Sequence, residues 1–280
     1  MLDILYDSLI DTLKLLPYLL ITFILLEFIE HKLTKKNEKI LTNNKKYGPL
    51  IGGLLGGLPQ CGFSTMAANL FSSKVITIGT IVSVFLSTSD EMLPIMISEQ
   101  ASIKLMLLIV IFKVSVGIAI GFIVDMIFRK RNTKPIEEIN HMCEEEHCSC
   151  EHDGIILSSI KHTLKIGLFI LIANLIINLI IYELGEDTLS NILLNKNIFT
   201  YFIASLIGLI PNCASSVIVT ELYLANLITL GTLLSGLLTG SGLGILLLFK
   251  TNKNIKENVT ILSIVYFIGV IVGILVDLAI

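Results

Sequence analysis

Long apolar blocks separated by short polar ones run the length of the chain. They cover residues 15–29, 48–72, 75–98 and 102–128, then 160–182, 198–222, 227–249 and 259–280. A spanning helix needs roughly 20 apolar residues. The first block is short, and the second is interrupted at Pro59. The third carries Ser87, Thr88, Ser89, Asp90, Glu91 and Pro94, and the fourth is clean apart from Lys113. A buried helix of a soluble protein explains one such block, but not eight in a chain that is 54% hydrophobic and 15% charged. The pattern predicts an all-α polytopic membrane protein.

The two halves repeat each other. Setting Pro59 on Pro211 gives an offset of 152 residues, which brings Cys61 onto Cys213 and Ser64 onto Ser216. Without a gap, Thr77 and Thr80 fall on Thr229 and Thr232, Ser83 on Ser235, and Ser89 on Ser241. Gly117, Gly121 and Asp125 fall on Gly269, Gly273 and Asp277. After a one-residue shift, 12–14 match 163–165. Ungapped agreement of Pro, Cys, Gly, Thr and Asp marks two copies of one membrane unit, a plan common among secondary transporters. The chain divides into a first transmembrane repeat, 1–128, a central loop, 129–159, and a second transmembrane repeat, 160–280.

Charge orients the copies. Lys32, Lys35, Lys36, Lys39, Lys45 and Lys46 precede the second block. Arg129, Lys130, Arg131 and Lys134 follow the fourth, and Lys250, Lys253 and Lys256 follow the seventh. All three loops should be cytoplasmic by the positive-inside rule, whereas the acidic stretch 183–187 suits the outside. If every block crossed once, residues 129–131 would land outside. The conflict disappears if 48–72 enters and leaves on one side as a re-entrant hairpin turning at Pro59, with Pro211 its counterpart. Each repeat then has three spanning helices and one re-entrant hairpin, ten helical segments in all. The repeats are inverted, and both termini lie outside. The N-terminus carries Asp3, Asp7 and Asp11 and no early basic cluster, so the first block is expected to remain rather than be cleaved as a signal peptide.

Both hairpin tips place Pro, a side-chain amide and Cys in a row: Pro59, Gln60 and Cys61, then Pro211, Asn212 and Cys213. Non-helical backbone at membrane depth persists only where it is buried in protein or lines a wet cavity. Proline breaks the helix there. Two tips entering from opposite sides would meet near the midplane, where transporter sites sit. Gln60 and Asn212 offer amide oxygens, Cys61 and Cys213 thiolates, and Ser64, Ser215 and Ser216 hydroxyls. The belt Ser87, Thr88, Ser89, Asp90 and Glu91 and its partner around Ser241 should lie at similar depth. Thiolate suits Zn, Cd, Cu(I) or trivalent As. A single buried cysteine is more often a small hydrophobe, but the matched pair at two repeat tips favours a transport site. Asp90 and Glu91 fall on Gly242 and Leu243, so their charge is not part of the symmetric plan. A carboxylate at membrane depth costs at least about 2.5 kcal/mol, which points to a cation or a coupling proton. Asn69 and Glu221 are aligned and are candidates to line the cavity. For Asp125 and Asp277 an interfacial location is the simpler reading.

The central loop holds His141, Cys143, His147, Cys148, Cys150 and His152 among acidic residues. A solvated charge run accounts for the Glu but not for three Cys and three His. The spacing is that of a flexible metal-chelating loop rather than a zinc finger.

GLPQCGFS at 57–64, FLSTSDE at 85–91, the His/Cys loop, KHTLKI at 161–166 and GLIPNCASS at 208–216 resemble the ten-transmembrane heavy-metal exporters, some labelled manganese transporter or arsenic efflux protein. The resemblance covers nearly the whole chain. It implies export of heavy-metal or metalloid ions through the bacterial inner membrane, with zinc, cadmium, manganese and arsenic all suggested as cargo.

The combined reading is a secondary transporter. It favours a Zn, Cd or Mn-type cation, alternating access and proton antiport, with Asp90 or Glu91 as proton carrier. An arsenite or organoarsenical permease is the alternative within the class. A metal-conducting channel and a membrane thiol oxidoreductase are the alternatives outside it. No His-Glu-x-x-His, Walker or dinucleotide pattern is present, so an enzyme is not expected. No tightly bound cofactor and no nucleic-acid partner are expected. The partners are the metal ion and the bilayer, with a homodimer left open.

Overall fold

The computed structural model describes residues 47–58, 61–89, 92–128, 198–211 and 213–279, with scattered helical positions between 9 and 24 and between 160 and 176. Among the described residues every regular element is helical. The first half contributes α1 (Gly48–Gly56), α2 (Cys61–Ser72), α3 (Ile78–Ser87), α4 (Met92–Ser98) and α5 (Ile103–Ile127). The second contributes α6 (Phe199–Gly208), α7 (Cys213–Leu224), α8 (Leu230–Thr239), α9 (Leu243–Thr251) and α10 (Ile255–Ala279). These ten are not the ten segments expected from sequence. The blocks 75–98 and 227–249, expected as continuous crossings, each consist of two helices, interrupted at 88–91 and 240–242.

α3 and α8 form the centre. Every residue of α3 is buried, as is Gly231 through Thr239 of α8. A helix apolar on all sides requires cover on all sides, and small residues provide it. Gly48 and Gly52 of α1 lie against Thr80, and Gly56 against Val84 and Ser87, so α1 runs alongside α3 in the same direction. α5 runs the other way, with Gly117 against Ser83 and Ser87 and Gly121 against Gly79 and Ser83. The chain passes along α1, turns within 57–60, and is back at the level of Gly48 by Thr77. In the second half, Gly208 lies against Gly236 and Thr239, Gly269 against Ser235 and Thr239, and Gly273 against Gly231 and Ser235. A side chain at any of these positions would hold the helices apart.

The same cap starts both central helices. Thr77 is the N-cap of α3, accepting from the Thr80 N–H, and Asp125 of α5 accepts from the Thr77 hydroxyl at 2.7 Å and the Gly79 N–H at 2.8 Å. Thr229 is the N-cap of α8, accepting from the Thr232 N–H. Asp277 of α10 accepts from the Thr229 hydroxyl, from the Gly231 N–H at 2.8 Å and from the Tyr201 hydroxyl at 2.8 Å. Asp125 and Asp277, expected to be interfacial, tie one long helix to the start of the central one. N-caps of this kind satisfy helix N–H groups that have no partner within the helix.

The halves interlock by exchange: α2 packs on α9 and its equivalent α7 on α4, while α3 meets α8 directly. Gly167 lies against Leu16, its own equivalent after the one-residue shift, and the equivalent Thr12 and Thr163 are both buried. Lys74, three residues before the first cap, pairs with Glu257 in the first turn of α10 at 2.9 Å. Asp277 lies twenty residues further along α10, about 30 Å at 1.5 Å per residue. The two equivalent caps therefore occupy opposite ends of the bundle. Gly48, Phe128 and Lys250, which adjoin the three basic loops, fall at the Lys74 end.

Three stretches are long and apolar enough to cross a membrane: Ile103–Ile127, Leu230–Thr251 and Ile255–Ala279. Ile103, Leu107, Ile111, Met126, Phe267, Ile271 and Leu278 are exposed on the first and last of these. An exposed apolar face of this extent calls for lipid rather than water.

Candidate functional site

Four of the breaks between described helices fall at the expected site. They separate α1 from α2 (57–60), α3 from α4 (88–91), α6 from α7 (209–212) and α8 from α9 (240–242). Contacts knit them together. Gly56, beside the first, meets Ser87, beside the second. Gly208 and Gly240 bring the third and fourth together. Gly244, just past the fourth, lies against the Ser64 backbone and the Phe85 ring of the other repeat. Gly242 supplies the left-handed φ of 52° that re-aims the chain there.

Lys113 bridges the two repeats. It is fully buried on α5, and its ammonium donates to the Thr88 carbonyl at the end of α3 and to the Leu237 carbonyl in the last turn of α8, the latter at 2.7 Å. Its equivalent in the second repeat is Val265. A lysine inside a spanning helix is costly and stays where it finds acceptors. The one available signal was its presence as the single charge between 102 and 124 besides Lys104.

The expected site residues divide by what is described. Cys61 and Cys213 are the first residues of α2 and α7. Ser64, Ser87, Thr88, Ser89, Ser215 and Ser241 are buried, and Ser216 and Pro211 are half-buried. The Ser87 hydroxyl donates to the Ser83 carbonyl at 2.8 Å, Thr88 to Val84 at 2.7 Å and Ser89 to Ser87 at 3.2 Å. Such back-bonding uses the proton and leaves oxygen lone pairs. Ser241 differs, because its Oγ is buried with no hydrogen-bond partner among the described residues. Asn69 is also buried and its amide nitrogen has no partner, whereas Glu221 is exposed. The aligned Asn69 and Glu221 thus differ in exposure.

Pro59, Gln60, Asp90, Glu91 and Asn212 lie outside the described residues, as do His141, Cys143, His147, Cys148, Cys150 and His152. Among the described residues no group of three His, Cys, Asp or Glu side chains is placed to hold a metal ion. What the described part offers is carbonyl and hydroxyl oxygen around a buried ammonium.

A family model described as "Putative, 10TM heavy-metal exporter" matches residues 1–188. No curated protein and no solved structure matches the chain. The match spans the first repeat, the central loop and the start of the second repeat, and with the lipid-facing helices it makes this a multi-pass membrane protein: the chain belongs to the ten-transmembrane heavy-metal exporter family.

Proposed function

We propose that the protein exports a divalent cation of the Zn, Cd or Mn type by alternating access, driven by proton antiport, and that the cargo binds at the helix interruptions. The knot itself carries the reading. Interrupted helices free backbone groups that need a ligand, water or protein partner. Here each repeat's two interruptions adjoin, and Lys113 joins the end of α3 to the last turn of α8 across the repeats. The Ser241 hydroxyl is buried there without a partner among the described residues, a costly arrangement unless something else occupies its lone pairs. Cys61 and Cys213 open α2 and α7, and a helix start favours negative charge. They supply soft ligands, with Gln60, Asn212, Asp90 and Glu91 as the remaining donors. Asp90 or Glu91 carries the proton, and the His/Cys loop collects cargo.

Equivalent caps at opposite ends of the bundle support inverted repeats, and the return of the chain to the Gly48 level supports a re-entrant hairpin. Gly48, Phe128 and Lys250, which adjoin the three basic loops in sequence, lie at the Lys74 end, which supports a cytoplasmic location for that end. Inverted repeats can exchange conformations, which opens the knot to each side in turn.

Uptake into everted inner-membrane vesicles tests this with Zn, Cd, Mn and arsenite, with and without a pH gradient. The expected result is Zn, Cd or Mn uptake that collapses with the gradient. Cys61→Ser and Cys213→Ser should impair Cd more than Mn, because Ser replaces a soft ligand with a hard one. The double variant should be little worse than either single one. Arsenite uptake alone would instead establish a metalloid permease. Normal Cd uptake by the double variant would remove the thiols from the site.

A further inference from the structure

We infer that Lys113 is a tethered cation filling a monovalent-cation site built by the ends of two half-helices. α3 and α8 approach from opposite ends of the bundle and stop at its centre. The C-terminal end of a helix carries carbonyls without intrahelical partners and the negative pole of the macrodipole. Two such ends aimed at one point make an oxygen-lined, electronegative pocket. Broken helices of transporters use such ends to hold a coupling cation. In this chain the point is taken by the Lys113 ammonium, which donates to the Thr88 and Leu237 carbonyls, one from each repeat.

Three features separate this from an incidental buried lysine. Lys113 is fully buried near the middle of a 25-residue apolar helix, where an ammonium needs strong acceptors. Two of its acceptors are backbone carbonyls at helix ends, the ligand type of alkali-cation sites, and they lie 25 and 124 residues away in sequence. Its equivalent is Val265, so the scaffold does not require a lysine at this place. The tether joins α5 of the first repeat to α8 of the second and so cross-links the elements that must move apart when the knot opens. The consequence is that transport needs no sodium or potassium, because the site such an ion would occupy is permanently supplied.

The geometry stands independently of the cargo, and only the consequence for coupling rests on the transporter reading. The test therefore reads cation binding rather than metal flux. Wild type, Lys113→Ala and Lys113→Met are purified in detergent in choline chloride and in NaCl or KCl at equal ionic strength, and apparent melting midpoints are compared. Lys113→Ala vacates the site and leaves room for an ion. Its midpoint should fall by several degrees in choline and recover progressively with sodium or potassium, as for any ligand bound by the folded state alone. Lys113→Met fills the lysine stem's volume without charge, so its midpoint should fall and not recover. Wild type should be indifferent to the choice of cation. A Lys113→Ala protein that no alkali cation stabilises, or that fails to fold in all three salts, overturns the inference. So does a wild type as responsive as the variant. Absence of metal transport by wild type, with intact alkali rescue of Lys113→Ala, would refute the cargo reading and leave the tethered cation standing.

Discussion

Removing the Asp277 carboxylate should unfasten the start of α8, and the structure sets the size of the effect. Three donors converge on it: the Thr229 hydroxyl, the Gly231 N–H and the Tyr201 hydroxyl. A hydrogen bond to a charged group contributes about 1.5–3 kcal/mol. The site is part-buried at one end of the bundle, so water replaces some of this. Asp277→Ala should cost about 3–4 kcal/mol, and Tyr201→Phe, which removes one neutral donor, about 1 kcal/mol. The two changes act on one network, so they should not add. In the Asp277→Ala background, Tyr201→Phe should cost almost nothing, because its partner is already gone. Asp277→Asn keeps an acceptor oxygen and should recover about half the loss. The assay is an unfolding titration in mild detergent on all four variants. Strict additivity of Tyr201→Phe and Asp277→Ala, or an Asp277→Ala protein within about 0.5 kcal/mol of wild type, would refute the view that this carboxylate organises the cap.

Gly273→Val places a side chain against the Ser235 hydroxyl and the Gly231 carbonyl and should destabilise by at least about 1–3 kcal/mol, with Gly121→Val behaving alike in the first repeat; denaturation midpoints decide it. Lys74→Ala removes the ion pair to Glu257, which is partly exposed and contributes about 0.5–1 kcal/mol. Its effect should appear as faster thiol labelling of cysteines introduced near the knot from the Lys74 end, with little change in the melting midpoint. Labelling of cysteines near Lys39 and Lys134 should succeed only from inside the cell, and labelling near Glu186 and both termini only from outside. Termini on opposite sides would refute the inverted repeats.

The repeat was legible because the residues that carry it have backbone jobs. Gly79, Gly121, Gly231 and Gly273 sit where a Cβ would meet another helix, and Thr77, Asp125, Thr229 and Asp277 close helix starts. Those jobs allow little substitution, so they show as matched letters at a fixed offset. The interruptions at 57–60 and 209–212 were signalled by proline. Those at 88–91 and 240–242 were hidden inside blocks long enough to span, because their polar residues also fit a continuous helix that lines a cavity. Lys113 passed as a tolerated charge, since its acceptors lie on other helices and no local pattern announces them. Glu221 is a separate case. Its alignment with Asn69 was correct, yet a shared position in a repeat does not impose shared burial.

The departures from symmetry are concentrated in charge, and this separates scaffold from function. Lys113 faces Val265 across the repeat, Asp90 and Glu91 face Gly242 and Leu243, and Lys74 faces Asn226. Lys74 and Asn226 share the same left-handed backbone, with φ of 57° and 59°, so the turn is kept while its charge is not. Glu257, the partner of Lys74, has Leu105 as its equivalent, so an ion pair across the repeats closes the Lys74 end and has no counterpart built from the same positions at the other. A symmetric bundle would open to either side at equal cost. One asymmetric ion pair at an end and one asymmetric ammonium at the centre make the cost of parting the helices unequal at the two ends.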